Sequence, residues 1–250
     1  TVTQLDDYII PKLSSLDAPL TVVVGGSTGA GKSTLVNTLI GEPVTRSGAI
    51  RPTTRQPVLL HRPEDAGAFT PERILPNLVR VPVEPGAALP GANPHNGQDE
   101  LVMVPVPGLP AGVPLVDAPD FDSVSDENRR LAKQLLAAAD LWLFVTTANR
   151  YADAVPWEIL REAAKRDITI AVVLNRVPEG SEDEIEADLT RMLAEAGIIA
   201  ALIMSVTEQD RDDQGLLPAV ALTPLTFWLR SLGADADPRS ASAPRTPQGA

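Results

Sequence analysis

The sequence predicts an α/β fold of three layers, with a mostly parallel central sheet, helices on both faces, and flanking N- and C-terminal helical segments. Three observations lead there. Short apolar runs of strand length alternate with stretches of helical period. The first strand and helix bracket Gly26-Ser27-Thr28-Gly29-Ala30-Gly31-Lys32-Ser33, a complete phosphate-binding loop of the form G-x-x-x-x-G-K-S/T. Polar residues with ligand chemistry also stand at the ends of later strands, where open parallel sheets place their sites. With 250 residues and 44% hydrophobic content the chain has enough for a large core, and disorder throughout is excluded.

The elements follow in order. Residues 1–18 read as an N-terminal helical segment, because Leu5, Ile9, Leu13 and Leu16 share a helical face that Pro11 interrupts. Leu20 to Val24 is a buried-strand run, and Ser33 to Ile40 continues the loop as a helix whose positive N-terminus faces the phosphates. Glu42 to Gln56 lacks periodicity, holds Pro43, Gly48 and Pro52, and reads as a loop before the strand Val58-Leu59-Leu60. Residues 63–114 carry 11 of the 24 prolines and read as an elaborated insertion, extended only at Leu78 to Val83 and Leu101 to Val106. Alternation resumes with a strand at Val113 to Asp117 and a helix from about Asp126 to Ala139. Leu141 to Val145 is the next strand, in which Trp142 and Phe144 read as core. A helix from Val155 to Arg166 and a strand from Ile168 to Leu174 come after it. Ser181 and Glu184 then predict a capping box for a helix striped by Ile185, Leu189, Met192, Leu193 and Ala196 and stopped by Gly197. Ala200 to Met204 is the last strand. Leu216 to Leu229 is apolar, broken by Pro218 and Pro224, and reads as lying outside the core. The expected division is a phosphate-loop domain at 19–210, a C-terminal helical segment at 211–232 and a disordered linker or tail at 233–250.

Composition limits the partners. A net charge of −12, from 33 acidic and 21 basic residues, opposes binding along a nucleic-acid backbone and argues against a polybasic membrane patch. The chain lacks cysteine, which removes disulfides, zinc-thiolate sites and thiol nucleophiles and fits an intracellular protein. No apolar run reaches the length of a membrane span, no signal-peptide pattern opens the chain, and the start at Thr1 rather than Met suggests a trimmed sequence.

Further motifs narrow the chemistry. Gly26 and Gly31 permit the tight turn that aims backbone N–H groups inward, Lys32 can reach terminal phosphates, and Ser33 can ligate Mg²⁺. Asp117-Ala118-Pro119-Asp120 follows a buried strand, where nucleotide switches place D-x-x-G and the aspartate holds Mg²⁺. Arg51-Pro52-Thr53-Thr54-Arg55 offers a threonine able to close over that metal, Thr54 in preference to Thr53. Asn175 and Ser205 end strands where base-reading residues sit, although each is also an ordinary turn residue. One of Arg46, Arg51 and Arg55 could serve as an arginine finger, though each is first a solvated loop charge; His61 and His95 read as surface residues.

On Gly26 to Thr34, Arg51-Pro52-Thr53-Thr54, Val116 to Ser123 and Asn175-Arg176, the chain resembles a P-loop GTPase domain, and more narrowly that of bacterial dynamin-like large GTPases. The 63 positions from Thr54 to Asp117, the helical termini and Phe121 in place of a water-orienting glutamine favour that branch over small switch proteins. Era-like GTPases share the Thr-Thr-Arg pattern and remain competitors. The resemblance implies GTP hydrolysis to GDP with Mg²⁺, Lys32, Thr54, Asp117 and Thr28 as catalytic residues, and Ser33, Thr54 and Asp117 on the metal. It implies nucleotide contacts from Gly26 to Thr34, Thr53, Asp120, Asn175, Arg176, Ser205 and Val206. It further implies a homo- or heterodimer through the GTPase domain and a cytoplasmic place at the inner face of the cell membrane, reached only through regions outside this chain; the net charge of −12 adds the expectation of no nucleic-acid partner. Three departures count. Asp120 replaces the usual glycine, putting a carboxylate beside phosphate charge, so slow hydrolysis or a nucleotide-gated module with little hydrolysis is the expected result. Pro178 stands where an aspartate would read guanine, which leaves guanine against adenine open. Thr28 occupies the place of a water-placing glutamine or serine.

Overall fold

The computed structural model describes residues 19–45, 56–71, 74–84, 87, 89, 100–120 and 126–236. The expectations for residues 1–18, for Arg46, Arg51, Thr53, Thr54 and Arg55, for His95, for Phe121 to Ser123 and for the tail from 237 onward lie outside those residues.

The strands are β1 (Val22–Gly26), β2 (Val58–His61), β3 (Val79–Pro82), β4 (Glu100–Pro105), β5 (Leu115–Asp117), β6 (Leu141–Thr147), β7 (Thr169–Val177) and β8 (Ala200–Thr207). The helices are α1 (Lys32–Ile40), α2 (Asp126–Ala138), α3 (Ala154–Lys165), α4 (Glu182–Glu195) and α5 (Thr223–Ala236). One sheet contains all eight strands, in the order β3-β4-β2-β5-β1-β6-β7-β8. Pairing is parallel throughout except between β2 and β5, where Leu59 faces Val116 in antiparallel register. The inner strands are apolar on both faces because helices cover both.

Alternation along each strand divides the core into two. Val22 and Val24 of β1 and Leu143 and Val145 of β6 turn toward Leu35 and Val36 of α1 and Leu225, Trp228 and Leu229 of α5. Val23, Trp142, Phe144 and Val172 turn the other way, toward Leu135 of α2, Trp157 and Leu160 of α3 and Leu189 and Leu193 of α4. Trp142 and Phe144 are fully buried, as their strand pattern predicts, and side chains of that size each contribute roughly 2–3 kcal/mol on burial.

Several expectations are revised. The proline-rich stretch is continuous with the sheet rather than an insertion: its two extended runs, at the positions expected, are β3 and β4, which form the sheet edge, and β4 runs parallel to β2. The irregular chain between β2 and β3 is held by Arg80, whose guanidinium donates to the carbonyls of Phe69, Thr70, Ile74, Leu75 and Leu78. Such side-chain donors replace the ladder bonds that prolines cannot make. The Leu216 to Leu229 stretch is core rather than appended, because Pro224 falls in the first turn of α5, where no backbone donor is needed. That helix runs on to Ala236, past Gly233. Ser181 does occupy the N-cap of α4, but its side chain makes no capping bond. Its own N–H is committed to the Pro178 carbonyl at 3.1 Å in a turn, and Glu182, Asp183 and Glu184 supply the negative first turn instead. His61 is buried against Phe69, its Nδ1 2.7 Å from the Arg62 carbonyl, so it is not a surface residue.

Candidate nucleotide site

The carboxyl ends of β1, β5, β6, β7 and β8 lie along one edge of the sheet, since those strands are mutually parallel. The loop from Gly26 to Gly31 leaves β1 at this edge. It turns on the Ala30 N–H to Ser27 carbonyl bond of 3.1 Å and enters α1 through Gly31 at φ 93°, whose carbonyl accepts from the Leu35 N–H at 2.9 Å. α1 has no side-chain cap and no acidic residue in its first turn, so its N-terminal donors and dipole are uncompensated by the chain itself.

Lys32 is folded back over the loop. Its ammonium donates to the carbonyls of Gly26 at 3.0 Å and Ser27 at 3.1 Å and forms an ion pair with Asp120. Asp117, at the end of β5, is buried, and burial pushes its carboxyl above the usual carboxylate range. The Ser33 hydroxyl, the Lys32 charge and the Thr45 hydroxyl oppose that rise, while the Asp120 charge adds to it. The Asp117 Oδ1 atom is buried without a hydrogen-bond partner. Ser27 Oγ at the end of β1, Thr146 Oγ1 on β6 and Ser205 Oγ on β8 are buried and unpartnered in the same way. Orphaned polar atoms are costly, and their collection at one edge of a sheet marks a place built to receive a polar ligand.

Asn175, on β7, turns inward and donates from Nδ2 to the Ala30 carbonyl at 2.8 Å. It therefore ties the strand to the loop, a contact its position at a strand end did not foretell. The adjacent Arg176 is exposed and takes φ 55°. Gly29 is exposed at the loop tip, and Thr34 is buried, its carbonyl accepting from Thr38 Oγ1 at 2.8 Å. Val206 is buried in the apolar core on the α1 face, so only its main chain is open to a cleft ligand. The structure thus brings together Gly26 to Ser33, Asp117, Asp120 and Asn175.

Three residues at this edge escaped the sequence reading. Thr45 Oγ1 lies 3.0 Å from Asn37 Oδ1 and 3.3 Å from the Ser33 carbonyl, while Asn37 Nδ2 donates to the Thr45 carbonyl at 2.8 Å. This pair anchors the start of the loop after α1 beneath Ser33. Arg150, after β6, donates from Nη1 to the Thr28 carbonyl at 3.0 Å and from Nε to Asp153 at 2.8 Å. Its place past the carboxyl end of a parallel strand was the available signal. A separate cavity of about 510 Å³, lined by residues including Arg62, Leu109 and Arg230, lies past the ends of β2 and β4. Because β2 runs against β5, that is the opposite edge of the sheet.

A strand, phosphate loop and helix, with a buried aspartate at the end of the adjacent strand, define a phosphate-binding-loop NTPase domain. The family described as a 50S ribosome-binding GTPase matches residues 21–176, and the chain belongs to it. A probable transmembrane GTPase, FZO-like and chloroplastic, of Arabidopsis thaliana is 25% identical over 142 residues, covering 57% of this chain and 13% of that protein. A bacterial dynamin from an oligomerised pair described as sensing and tethering membranes superposes with a TM-score of 0.56 at 12% identity, over 96% of this chain and 52% of that one. Era of Aquifex aeolicus, bound to GDP and aluminium fluoride, superposes with a TM-score of 0.51 at 18% identity, over 84% of this chain and 56% of that one. At these identities the structures establish a shared fold, and the chain spans only a part of each relative's length.

Guanine nucleotide with Mg²⁺ is the ligand that membership of a GTPase family brings. The residues fit it. A Cβ at Gly26 or Gly31 would strike the Val145 carbonyl or the Asn175 side chain, so the cradle admits only glycine. Among the described residues no group of three or more His, Asp or Glu forms a cage for a cation. Mg²⁺ is held by one or two protein ligands together with phosphate oxygens. Ser33 and the unpartnered Oδ1 of Asp117 are the donors at hand. None of the described helices is long and apolar enough to cross a membrane.

Proposed function

We propose that this chain is the GTPase domain of a dynamin-like protein, which binds and hydrolyses GTP with Mg²⁺ and couples the cycle to self-association. The observation that carries the reading is the convergence of Lys32, Ser33 and the buried Asp117 at one sheet edge, where the loop enters α1 without a side-chain cap. Lys32 and the loop amides neutralise phosphate charge; Ser33, Thr54 and Asp117 hold the metal; Asn175, Arg176 and Ser205 face the base side. Bound Mg²⁺ supplies charge neutralisation between the terminal phosphates. Catalysis then comes from positioning, with backbone groups of the switch loops, Thr28 or a second subunit placing water, since Phe121 lacks the chemistry to do so. The GTPase domain begins near residue 19 and takes in α5 through Ala236, which packs in the same core as β1 and α1.

The dynamin-like assignment is supported by the bacterial dynamin, which superposes over nearly the whole chain, and by the FZO-like relative. We place the protein in the cytoplasm, at the inner membrane face through regions outside this chain. An Era-like role is the second reading, favoured by the family's description and by the higher identity to Era, one structure of which holds nucleotides of 16S ribosomal RNA. A net charge of −12 weighs against RNA.

Calorimetric titration with GDP, a GTP analogue and ADP, each with Mg²⁺, tests the ligand. Guanine nucleotides should bind at least about tenfold tighter than ADP, a gap of 1.4 kcal/mol. Equal or tighter adenine binding removes the GTPase assignment. Phosphate release should exceed that of Lys32→Ala and rise faster than linearly with protein concentration. A linear rise together with capture of ribosomal RNA supports the Era-like role.

A further inference from the structure

Lys32 carries three N–H donors and no acceptor. The chain engages it three times, through the Gly26 carbonyl, the Ser27 carbonyl and the Asp120 carboxylate. The two carbonyls belong to the phosphate loop, which β1 and the Ser27–Ala30 turn hold in place. Asp120 differs. It reaches the lysine across 88 positions of sequence, from the short run that follows β5, and its side chain is 16% exposed against 5% for the lysine. It is the partner that can leave without dismantling the loop or the sheet.

Taking the cleft as a nucleoside triphosphate site, we infer that Asp120 is an internal substitute for the terminal phosphate. On this inference, which rests on the nucleotide assignment above, the chain tells triphosphate from diphosphate by whether that carboxylate is driven off Lys32. Carboxylate and phosphoryl oxygens compete for an ammonium through the same charge-assisted hydrogen bond. A terminal phosphoryl group at Lys32 sets two anions against each other in a partly buried site, where their repulsion is poorly screened. The phosphate is fixed by the loop amides, so the carboxylate moves. A diphosphate ends one group short and leaves the pair intact. In the meantime the pair stabilises the chain, because Lys32 without it would be a buried cation held by neutral carbonyls alone. A glycine at position 120 would offer the backbone N–H but neither the competition nor the readout.

Calorimetric titration of wild type, Asp120→Asn and Asp120→Gly with GDP and with GDPNP, each with Mg²⁺, tests this. Affinity for GDPNP should rise about tenfold in both variants, while that for GDP moves by less than about threefold. Equal gains for the two nucleotides, or a loss for GDPNP with GDP binding retained, overturns the inference and leaves the nucleotide assignment standing. Failure of wild type and variants alike to bind either nucleotide overturns both. The native carboxylate can be followed without altering it, since the chain lacks cysteine and Ser123→Cys takes a single fluorophore. Its emission should shift with GDPNP and not with GDP; identical spectra with the two overturn the inference.

Discussion

Gly26 ends β1 at φ 154°, and a Cβ there would collide with the carbonyl oxygen of Val145 on the neighbouring strand. That oxygen cannot retreat without breaking the β1–β6 ladder. Gly26→Ala should therefore lower stability by roughly 2–3 kcal/mol, seen as a lower urea midpoint at unchanged m. Asn175 makes a different kind of demand. Its amide is buried, and truncation to Ala leaves the Ala30 carbonyl without its side-chain donor. Asn175→Ala should cost about 1–3 kcal/mol in stability and also weaken GDP binding, because the loop loses its tie to β7. A fluorescence-monitored melt and a GDP titration of the same sample check both halves. The strand-end position of Asn175 was legible in the sequence, but its bond to the loop was not, since the two partners lie 145 positions apart.

Between α2 and β6 the chain turns through Asp140, whose Oδ2 accepts from the Thr21 N–H at 2.8 Å and so pins the turn to the start of β1. Burial raises this carboxyl above the usual carboxylate range, opposed by the Thr21 N–H. The native state consequently keeps its proton to higher pH than the unfolded chain does. Stability from this group is greatest below the ordinary carboxylate value and falls as pH rises through the native value. Asp140→Asn retains the acceptor and removes the charge. It should raise the Tm at pH 7 by about 1–3 °C, and the advantage should vanish below about pH 4, as scanning calorimetry across that range would show. A raised slope or a destabilised variant at pH 7 would contradict this account. Element positions were otherwise largely readable: periodicity located β6, α3 and α4 closely, because each buries a face whose spacing its own residues display. The capping box does not form: the Ser181 hydroxyl makes no bond to the first turn, and the Ser181 N–H that Glu184 would meet is spent in the preceding turn.

The C-terminal helix joins the molecule together. Trp228 of α5 sits in the same core as Val22 of β1 and Leu35 of α1, and the Leu217 N–H donates to Thr38 Oγ1 of α1 at 3.0 Å. Trp228→Ala should therefore cost about 3–5 kcal/mol while the transition stays single, followed by far-ultraviolet circular dichroism. It should also weaken GDP binding, since α1 carries Lys32 and Ser33 at its start. Separate melting of the sheet and of the C-terminal segment would show instead that α5 is an appendage.

Sequence alone was enough for the phosphate loop, the alternation of strands and helices and the aspartate that ends β5 beside that loop. Each is written in neighbouring residues, through glycine backbone freedom, hydrophobic period and the donor chemistry of lysine, serine and aspartate. Tertiary structure alone decided that the proline-rich stretch is a sheet edge, that α5 belongs to the core and that Asp120 pairs with Lys32. Those outcomes depend on contacts between residues tens to hundreds of positions apart, whose formation is governed by packing and charge burial in three dimensions rather than by local pattern.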